Sequence, residues 1–177
     1  MKVLVTGAAG FIGSHLLNYL NEKNFEVLGL DNFSDYYSIE YKTSRLKALK
    51  IDHLVQNLDL KTKDELDEAL AKFMPDYIIH LAAQAGVRLP FSKSEIYISN
   101  NIDAFVNICE SAIGSKVKGI LYASSSSVYG DSTPVPFLES FENLKPNSIY
   151  GITKLTNELM ANVISSSNKI NLRGMRF

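Results

Sequence analysis

Tyr150 and Lys154 are the pair of side chains whose types and spacing most directly suggest chemistry. They are four residues apart, so on a helix they share one face, and the Lys154 ammonium group favours the phenolate form of Tyr150. Tyrosine has an ordinary pKa of about 10, so a tyrosine that works as a base near neutral pH needs a pKa lowered by several units. The pair predicts a general base. Tyr19 and Lys23 have the same spacing about two turns into the first predicted helix, and we interpret them as an exposed pair.

Four consecutive serines, Ser124 to Ser127, begin at the end of a predicted strand, 119–124. In doubly wound sheets, ligands bind at the carboxyl ends of the strands, so these hydroxyl groups are predicted to face the same cleft as Tyr150. A serine in this position can equally cap backbone groups of a polar loop, and residue types alone do not select the reactive one.

A glycine-rich loop follows the first predicted strand, in the segment VTGAAGFIGSHL. In such a loop Gly7 permits the tight bend, Gly10 lets a pyrophosphate approach the backbone, and Gly13 lets the next helix pack closely. The first turn of that helix, with Phe11 and Ile12, would face the phosphates. Glycines also occur in ordinary turns, so the loop predicts a dinucleotide only together with its strand, its helix and an acidic partner.

The acidic partner is Asp31, at the end of the second predicted strand. A carboxylate there accepts hydrogen bonds from the ribose hydroxyl groups of adenosine and repels a 2′-phosphate, which favours NAD over NADP. The alternative interpretation is that Asp31 caps a turn before Asn32.

Apolar segments of strand length alternate with segments of helical periodicity. The predicted strands are 2–6, 25–30, 53–57, 77–82, 119–124 and a last one within 170–177. Helices are predicted after the glycine loop, around 66–73, and over 39–50, 94–113 and 148–167. Helical spacing gives the first helix one apolar face, formed by Ile12, His15, Leu16, Tyr19 and Leu20. The alternation predicts an α/β fold with a doubly wound parallel sheet, and residues 1–177 as one Rossmann-like NAD-binding domain.

The composition excludes several classes of partner. With 18 basic and 19 acidic residues, the chain has no charge excess to hold nucleic acid or an anionic membrane. Cys109 is the only cysteine, which excludes an internal disulfide and a thiolate metal cluster. We expect no metal and a cytoplasmic location.

The motifs resemble those of the extended short-chain dehydrogenase/reductase superfamily, which combines a G-x-x-G-x-x-G loop with a Y-x-x-x-K pair. Further segments resemble the NAD-dependent epimerase/dehydratase family, most closely its UDP-glucuronate 4-epimerase branch: DNFSDYY, HLAAQAGVR, YISNN, YASSSSVYG and NELM. The resemblance implies NAD as cofactor and a UDP-sugar as substrate. It also implies that members continue well beyond the length of this chain, so that the C-terminal substrate-binding region is absent here.

The resemblance assigns roles to individual residues. Its catalytic serine stands three residues before V-Y-G, at Ser125, and it acts with Tyr150 and Lys154. The implied cofactor-binding residues are Gly7, Gly10, Phe11, Ile12, Gly13, Asp31, Asn32, Asp59, Leu60, Ala82, Ala83, Gln84, Asn101, Tyr150 and Lys154. Asp31 and Asn32 would bind the adenosine ribose, and Asn101 would support the site from a helix.

Substrate contacts are predicted for Ser126 and Arg88. Ser126 and Ser127 stand where similar dehydratases carry Asp-Glu, which argues against dehydration. Arg88 could meet a sugar carboxylate or only brace a loop. Leu89 and Pro90 depart from the usual Tyr-Ser of the branch, so the sugar stays open between glucuronate and galactose types.

Three functions follow from these observations. The first is an NAD-dependent sugar-nucleotide 4-epimerase that works through a 4-keto sugar. The second is a module that holds NAD and a partner chain without turnover, and the third is a reductase or decarboxylase on the same scaffold. A homodimer is expected through the helices over 94–113 and 148–167, whose apolar residues could equally belong to their own core: Phe105, Ile108, Ile113, Leu155, Leu159 and Val163.

Overall fold

One twisted parallel sheet, covered by helices on both faces, organises the chain. The computed structural model describes residues 1–87, 89–140 and 143–177. Within that part of the chain the strand order is β3-β2-β1-β4-β5-β6, and every neighbouring pair is parallel. The strands are β1 Lys2–Thr6, β2 Glu26–Asp31, β3 Val55–Asn57, β4 Tyr77–His80, β5 Gly119–Ser124 and β6 Asn171–Arg176. This order confirms the predicted doubly wound sheet.

The helices lie close to their predicted positions. They are α1 Phe11–Glu22, α2 Ile39–Ala48, α3 Lys63–Phe73, α4 Ser94–Tyr97, α5 Ala104–Gly114 and α6 Ile149–Asn168. The helix predicted over 94–113 has a π-helical middle, Ile98–Asp103, which joins α4 to α5. The strand predicted over 53–57 is shorter than expected, because Asp52–Leu54 forms a 3₁₀ turn before it.

The core has two halves, one on each face of the sheet. Successive side chains of a strand point to opposite faces, so Val3 and Val5 of β1 pack with α1 and α2, whereas Leu4 packs on the other side. The second half is the larger and includes Leu66 of α3 and Phe105 of α5. Because strands are buried on both faces, their sequences are nearly uniformly apolar, which made them recognisable.

The face that α1 buries differs from the predicted one. Its buried residues are Gly13, Ser14, Leu17 and Leu20, whereas Ile12 and Tyr19 are more than half exposed. The reason is Gly13, because a side chain there would overlap the carbonyl oxygen of Gly7. The close approach of helix and loop fixes the rotation of α1, and this local constraint overrides the apolar periodicity.

The strand order reverses direction between β1 and β4, which opens a crevice at the carboxyl ends of these two strands. The glycine loop after β1, the loop after β4 and the serines after β5 all meet at this edge of the sheet. Within the described residues, no helix combines the length and the apolar character that a membrane span requires.

Candidate active site

A cleft of about 780 Å³ lies along the carboxyl edge of the sheet. Its lining includes every predicted cofactor-binding residue except Asn101, and all three predicted catalytic residues. The volume lies within the range of ligand pockets, about 300–1,000 Å³. The fold therefore brings into one cleft residues that are far apart in the chain and that the sequence had predicted to share a site.

The glycine loop forms the floor of the cleft. Gly7 has a φ of +70°, and a Cβ there would lie 2.8 Å from the backbone nitrogen of Ala82. Gly10 caps α1 without a side-chain hydrogen bond, so the first N–H groups of this helix are not occupied by a cap. Backbone donors at a helix N-terminus favour an anion, and this loop fits the pyrophosphate of a dinucleotide.

Asp31 holds the glycine loop and its own turn at the same time. Its Oδ2 accepts a hydrogen bond from Ala9 N at 3.0 Å, and its Oδ1 accepts one from Phe33 N at 2.8 Å. The second bond is the turn cap that the sequence left open as an alternative. Each carboxylate oxygen has a further lone pair, so Asp31 can cap the turn and still accept a bond from a ribose hydroxyl group.

The other residues predicted to contact adenosine also form hydrogen bonds beside Asp31. Asn32 Nδ2 donates to Asp59 Oδ2 at 3.2 Å, and Asp59 Oδ1 accepts from Lys61 N at 3.0 Å. Leu60 is buried next to them and lines the cleft. The end of β2 and the end of β3 therefore form one wall.

Asn101 lies outside the lining of the cleft and joins two of the segments around it. Its Oδ1 accepts from Gln84 N at 2.7 Å, and its Nδ2 donates to Thr153 Oγ1 at 3.0 Å. Thr153 Oγ1 in turn donates to the backbone oxygen of Tyr150 at 2.8 Å. The π-helical segment that carries Asn101 thus joins the loop after β4 to the helix of the predicted base, and π-helical turns are frequent at functional sites.

The three predicted catalytic side chains meet at the end of β5. Ser125 and Tyr150 both line the cleft here, and Ser125 Oγ donates to Ser127 Oγ at 3.1 Å and accepts from Ser127 N at 3.1 Å. Lys154 Nζ donates to the backbone oxygen of Ala123 at 3.0 Å and lies 5.8 Å from the centre of the Tyr150 ring. The other Y-x-x-x-K pair, Tyr19 and Lys23, is exposed as predicted.

The electrostatics of this corner differ from the expected ones. Burial raises the pKa of Tyr150, the Ser125 hydroxyl group opposes that rise, and the nearby Tyr97 adds to it. Burial also lowers the pKa of Lys154 to about 8. A low dielectric disfavours both charged forms, so the chain alone does not hold Tyr150 as a phenolate.

The four serines have distinct positions. Ser124 donates to Glu158 Oε1, and Glu158 forms a bidentate ion pair with Arg176. Ser126 and Ser127 line a second cavity of about 320 Å³, together with Gly130, Asp131, Phe137, Asn147 and Ser148. Ser126, a predicted substrate contact, therefore lies next to the first cleft rather than in it.

Sequence reasoning missed several residues of the site. Lys42 and Arg45 of α2 line the cleft, and Tyr97 is completely buried with its ring centre 6.2 Å from that of Tyr150. Only tertiary structure places α2 beside the glycine loop, so no local signal pointed to Lys42 and Arg45. Arg88, the other predicted substrate contact, lies outside the described residues.

Comparisons of the chain with a family model and with individual proteins agree with one another. The model of the NAD dependent epimerase/dehydratase family matches residues 3–177. Protein CapI of Staphylococcus aureus is 41% identical over all of this chain and 53% of its own length. UDP-glucuronate 4-epimerase 6 of Arabidopsis thaliana is 40% identical over all of this chain and 39% of its own length.

A solved structure has the same architecture. The UDP-glucuronic acid 4-epimerase of Bacillus cereus, in complex with UDP-glucuronic acid and NAD, matches 99% of this chain with a TM-score of 0.88 and 33% identity. This chain covers 56% of that protein. The chain therefore spans about half the length of the proteins that it matches.

Proposed function

The chain belongs to the NAD dependent epimerase/dehydratase family, and from this premise we propose that it is the NAD-binding and proton-transferring portion of a sugar-nucleotide 4-epimerase. The observation that carries the proposal is that Ser125, Tyr150 and Lys154 line one cleft with the glycine loop, and that Lys154 Nζ lies 5.8 Å from the centre of the Tyr150 ring. One cleft thus combines a dinucleotide cradle with a proton carrier.

The cofactor that fits this cleft is NAD. Gly7 and Gly13 let the loop pack against neighbouring backbone with which a side chain would overlap, and Gly10 leaves the start of α1 uncapped for the pyrophosphate. Asp31 and Asn32 would hold the adenosine ribose, and Ala82 to Gln84 would lie along the middle of the cofactor. NAD, when bound, supplies the acceptor and then the donor of one hydride at the sugar C4, so that no net oxidation occurs.

Tyr150 carries the proton in the proposed reaction. Its phenolate oxygen accepts the proton of the sugar 4-hydroxyl group as this carbon becomes a ketone, and returns the same proton when the alcohol is restored on the other face. Ser125 donates a hydrogen bond to the same sugar oxygen and thereby fixes its position. Lys154, anchored on the backbone of β5, stabilises the phenolate when it is charged.

The substrate class is a UDP-sugar, because the relatives named above act on or bind UDP-glucuronic acid. Ser126 and Arg88 are proposed to contact the sugar. Ser126 and Ser127 cannot replace the acid and base that eliminate water, so the proposal is epimerisation and not dehydration. A cytoplasmic location and the single domain over 1–177 stay predictions.

For the 177 residues themselves, we propose NAD binding without full turnover. The residues that cradle the dinucleotide are present and ordered, whereas the chain covers about half the length of its relatives. Calorimetric titration with NAD should give one site per chain. Incubation with NAD and either UDP-glucuronate or UDP-galactose should give no 4-epimer by proton NMR, and measurable turnover would overturn this part.

The epimerase proposal is tested in an extended chain, in which residues 1–177 are followed by the C-terminal part of the Staphylococcus aureus relative. We expect interconversion of a UDP-sugar and its 4-epimer, with neither free NADH nor CO₂ released. An extended chain that binds both NAD and the UDP-sugar without epimerising it would contradict the proposal. Release of NADH or CO₂ would indicate a reductase or decarboxylase instead.

A homodimer through α6 is also proposed. Three apolar residues of α6 are at least half exposed and follow one another at helical spacing, namely Ile152, Leu159 and Val163. Phe105 and Ile108, which could also have formed the interface, are completely buried in their own core. Light scattering after size exclusion should give twice the chain mass. Leu159→Lys should give a monomer, whereas Met74→Lys, at an exposed position outside α6, should not.

A further inference from the structure

The adenosine end of the cleft contains a basic residue that the proposed function does not use. Lys42 of α2 is only 8% exposed, as is Asp31, and its Nζ lies 3.7 Å from Asp31 Oδ1. The same Nζ donates to the backbone oxygen of Ser34 at 2.8 Å. Lysine is rarely buried without an acidic partner, and here the partner is the residue expected to select the cofactor.

A second cation reinforces the first. Arg45, one turn further along α2, donates from Nη1 to the backbone oxygen of Ala9 at 3.0 Å, while Ala9 N donates to Asp31. The other carboxylate of this wall, Asp59, has its own cation in Lys61 at 3.5 Å. Among the described residues that line this end of the cleft, Lys42 and Arg45 therefore offset the charge of Asp31, whereas Lys61 offsets that of Asp59.

This balance bears on the choice between NAD and NADP. An isolated Asp31 carboxylate would repel a 2′-phosphate on the ribose that it binds. A phosphate held next to Asp31 would also lie within a few ångströms of Lys42, and attraction between nearly buried charges is poorly screened by salt. The repulsion of the 2′-phosphate by Asp31 and its attraction by Lys42 then oppose each other.

Resting on the proposed NAD binding, we propose that Lys42 is a specificity-determining residue that weakens the discrimination of Asp31 against a 2′-phosphorylated cofactor. The chain consequently binds NADPH as well as NADH, with a preference for NADH of about tenfold or less. Asp31 sets the direction of the preference, and Lys42 limits its size.

A purely structural role for Lys42 makes a different prediction. If the ammonium group only braced the loop at Ser34, its loss would weaken both cofactors equally. Lys42→Gln keeps a side-chain donor but removes the charge, Lys42→Met removes both, and Lys42→Arg keeps both. Lys47→Met, at an exposed position of the same helix outside the cleft, is the matched control.

The experiment titrates the chain and these variants with NADH and with NADPH, following the fluorescence of the bound nicotinamide, and checks folding by circular dichroism. We expect the ratio of the NADPH to the NADH dissociation constant to rise about three- to tenfold in Lys42→Gln and Lys42→Met, and to stay unchanged in Lys42→Arg and Lys47→Met. An unchanged ratio in both uncharged variants would overturn the inference, as would a ratio above about 100 in the unmodified chain. A chain that binds neither cofactor would instead overturn the proposed function.

Discussion

The two ends of the cleft are built on different principles. At the adenosine end, backbone groups do most of the positioning: the glycine loop, the N-terminus of α1, and the N–H groups of Ala9 and Phe33 that fix Asp31. At the catalytic corner, side chains from β5 and α6 meet, and their protonation states decide whether they can react. Folding alone completes the backbone groups at the adenosine end. At the catalytic corner, folding buries Tyr150 and Lys154, and burial disfavours the charged form of each.

Cofactor binding and the proposed catalysis should therefore be separable by substitution. Burial, which shapes the catalytic corner, disfavours both the Tyr150 phenolate and the Lys154 ammonium group. In the proposed reaction, the positive charge that favours the Tyr150 phenolate is that of the oxidised cofactor. Substitutions at the adenosine end should therefore lower cofactor affinity, whereas substitutions at the catalytic corner should lower the rate of epimerisation.

The largest effect is expected from Tyr150→Phe in the extended chain. The substitution removes the hydroxyl group that carries the proton but keeps the ring, so epimerisation should fall by about 10²–10⁴-fold while NADH affinity changes little. Rates are followed by proton NMR of the UDP-sugar, and affinity by fluorescence. Near-normal epimerisation would show that another group carries the proton.

At the adenosine end of the cleft, Gly13→Ala should weaken the binding of NADH itself and not only the epimerisation. The added methyl group would overlap the carbonyl oxygen of Gly7, so the loop must move, and we expect NADH affinity to fall by about 100-fold or more. Gly114→Ala is the matched control, because a Cβ at Gly114 meets nothing within 4 Å. If Gly13→Ala bound NADH as tightly as Gly114→Ala, the close packing of loop and helix would not be what holds the cofactor.

A smaller effect concerns pH and stability. The pKa of Lys154 is lowered to about 8 in the folded chain from 10.5, so between these values the unfolded chain binds more protons and the free energy of unfolding rises with pH. The contribution is at most about 1.4 kcal/mol per pH unit. Urea unfolding between about pH 8 and 9.5 should show this rise in the unmodified chain and not in Lys154→Met. If the free energy of unfolding changed equally with pH in both proteins, Lys154 would not be desolvated in the folded chain.

Sequence reasoning predicted the sheet because buried parallel strands are uniformly apolar, and it predicted Ser125, Tyr150 and Asp31 because their motifs resemble those of a known family. It failed on the buried face of α1, where a glycine contact overrides periodicity. It could not reveal Lys42, since the contact of α2 with the end of β2 is tertiary. Nor could spacing alone show that burial raises the pKa of Tyr150, which depends on everything packed around the ring.

The account is tested most directly by the titration of Tyr150 with and without oxidised NAD. The tyrosinate absorbance of the unmodified chain minus that of Tyr150→Phe isolates this one side chain. In the free chain the pKa of Tyr150 should lie above its ordinary value of 10.0, because burial dominates, and saturating NAD should lower it. The same midpoint with NAD bound as without it would contradict the claim that this chain positions the proton carrier and the cofactor completes its charge.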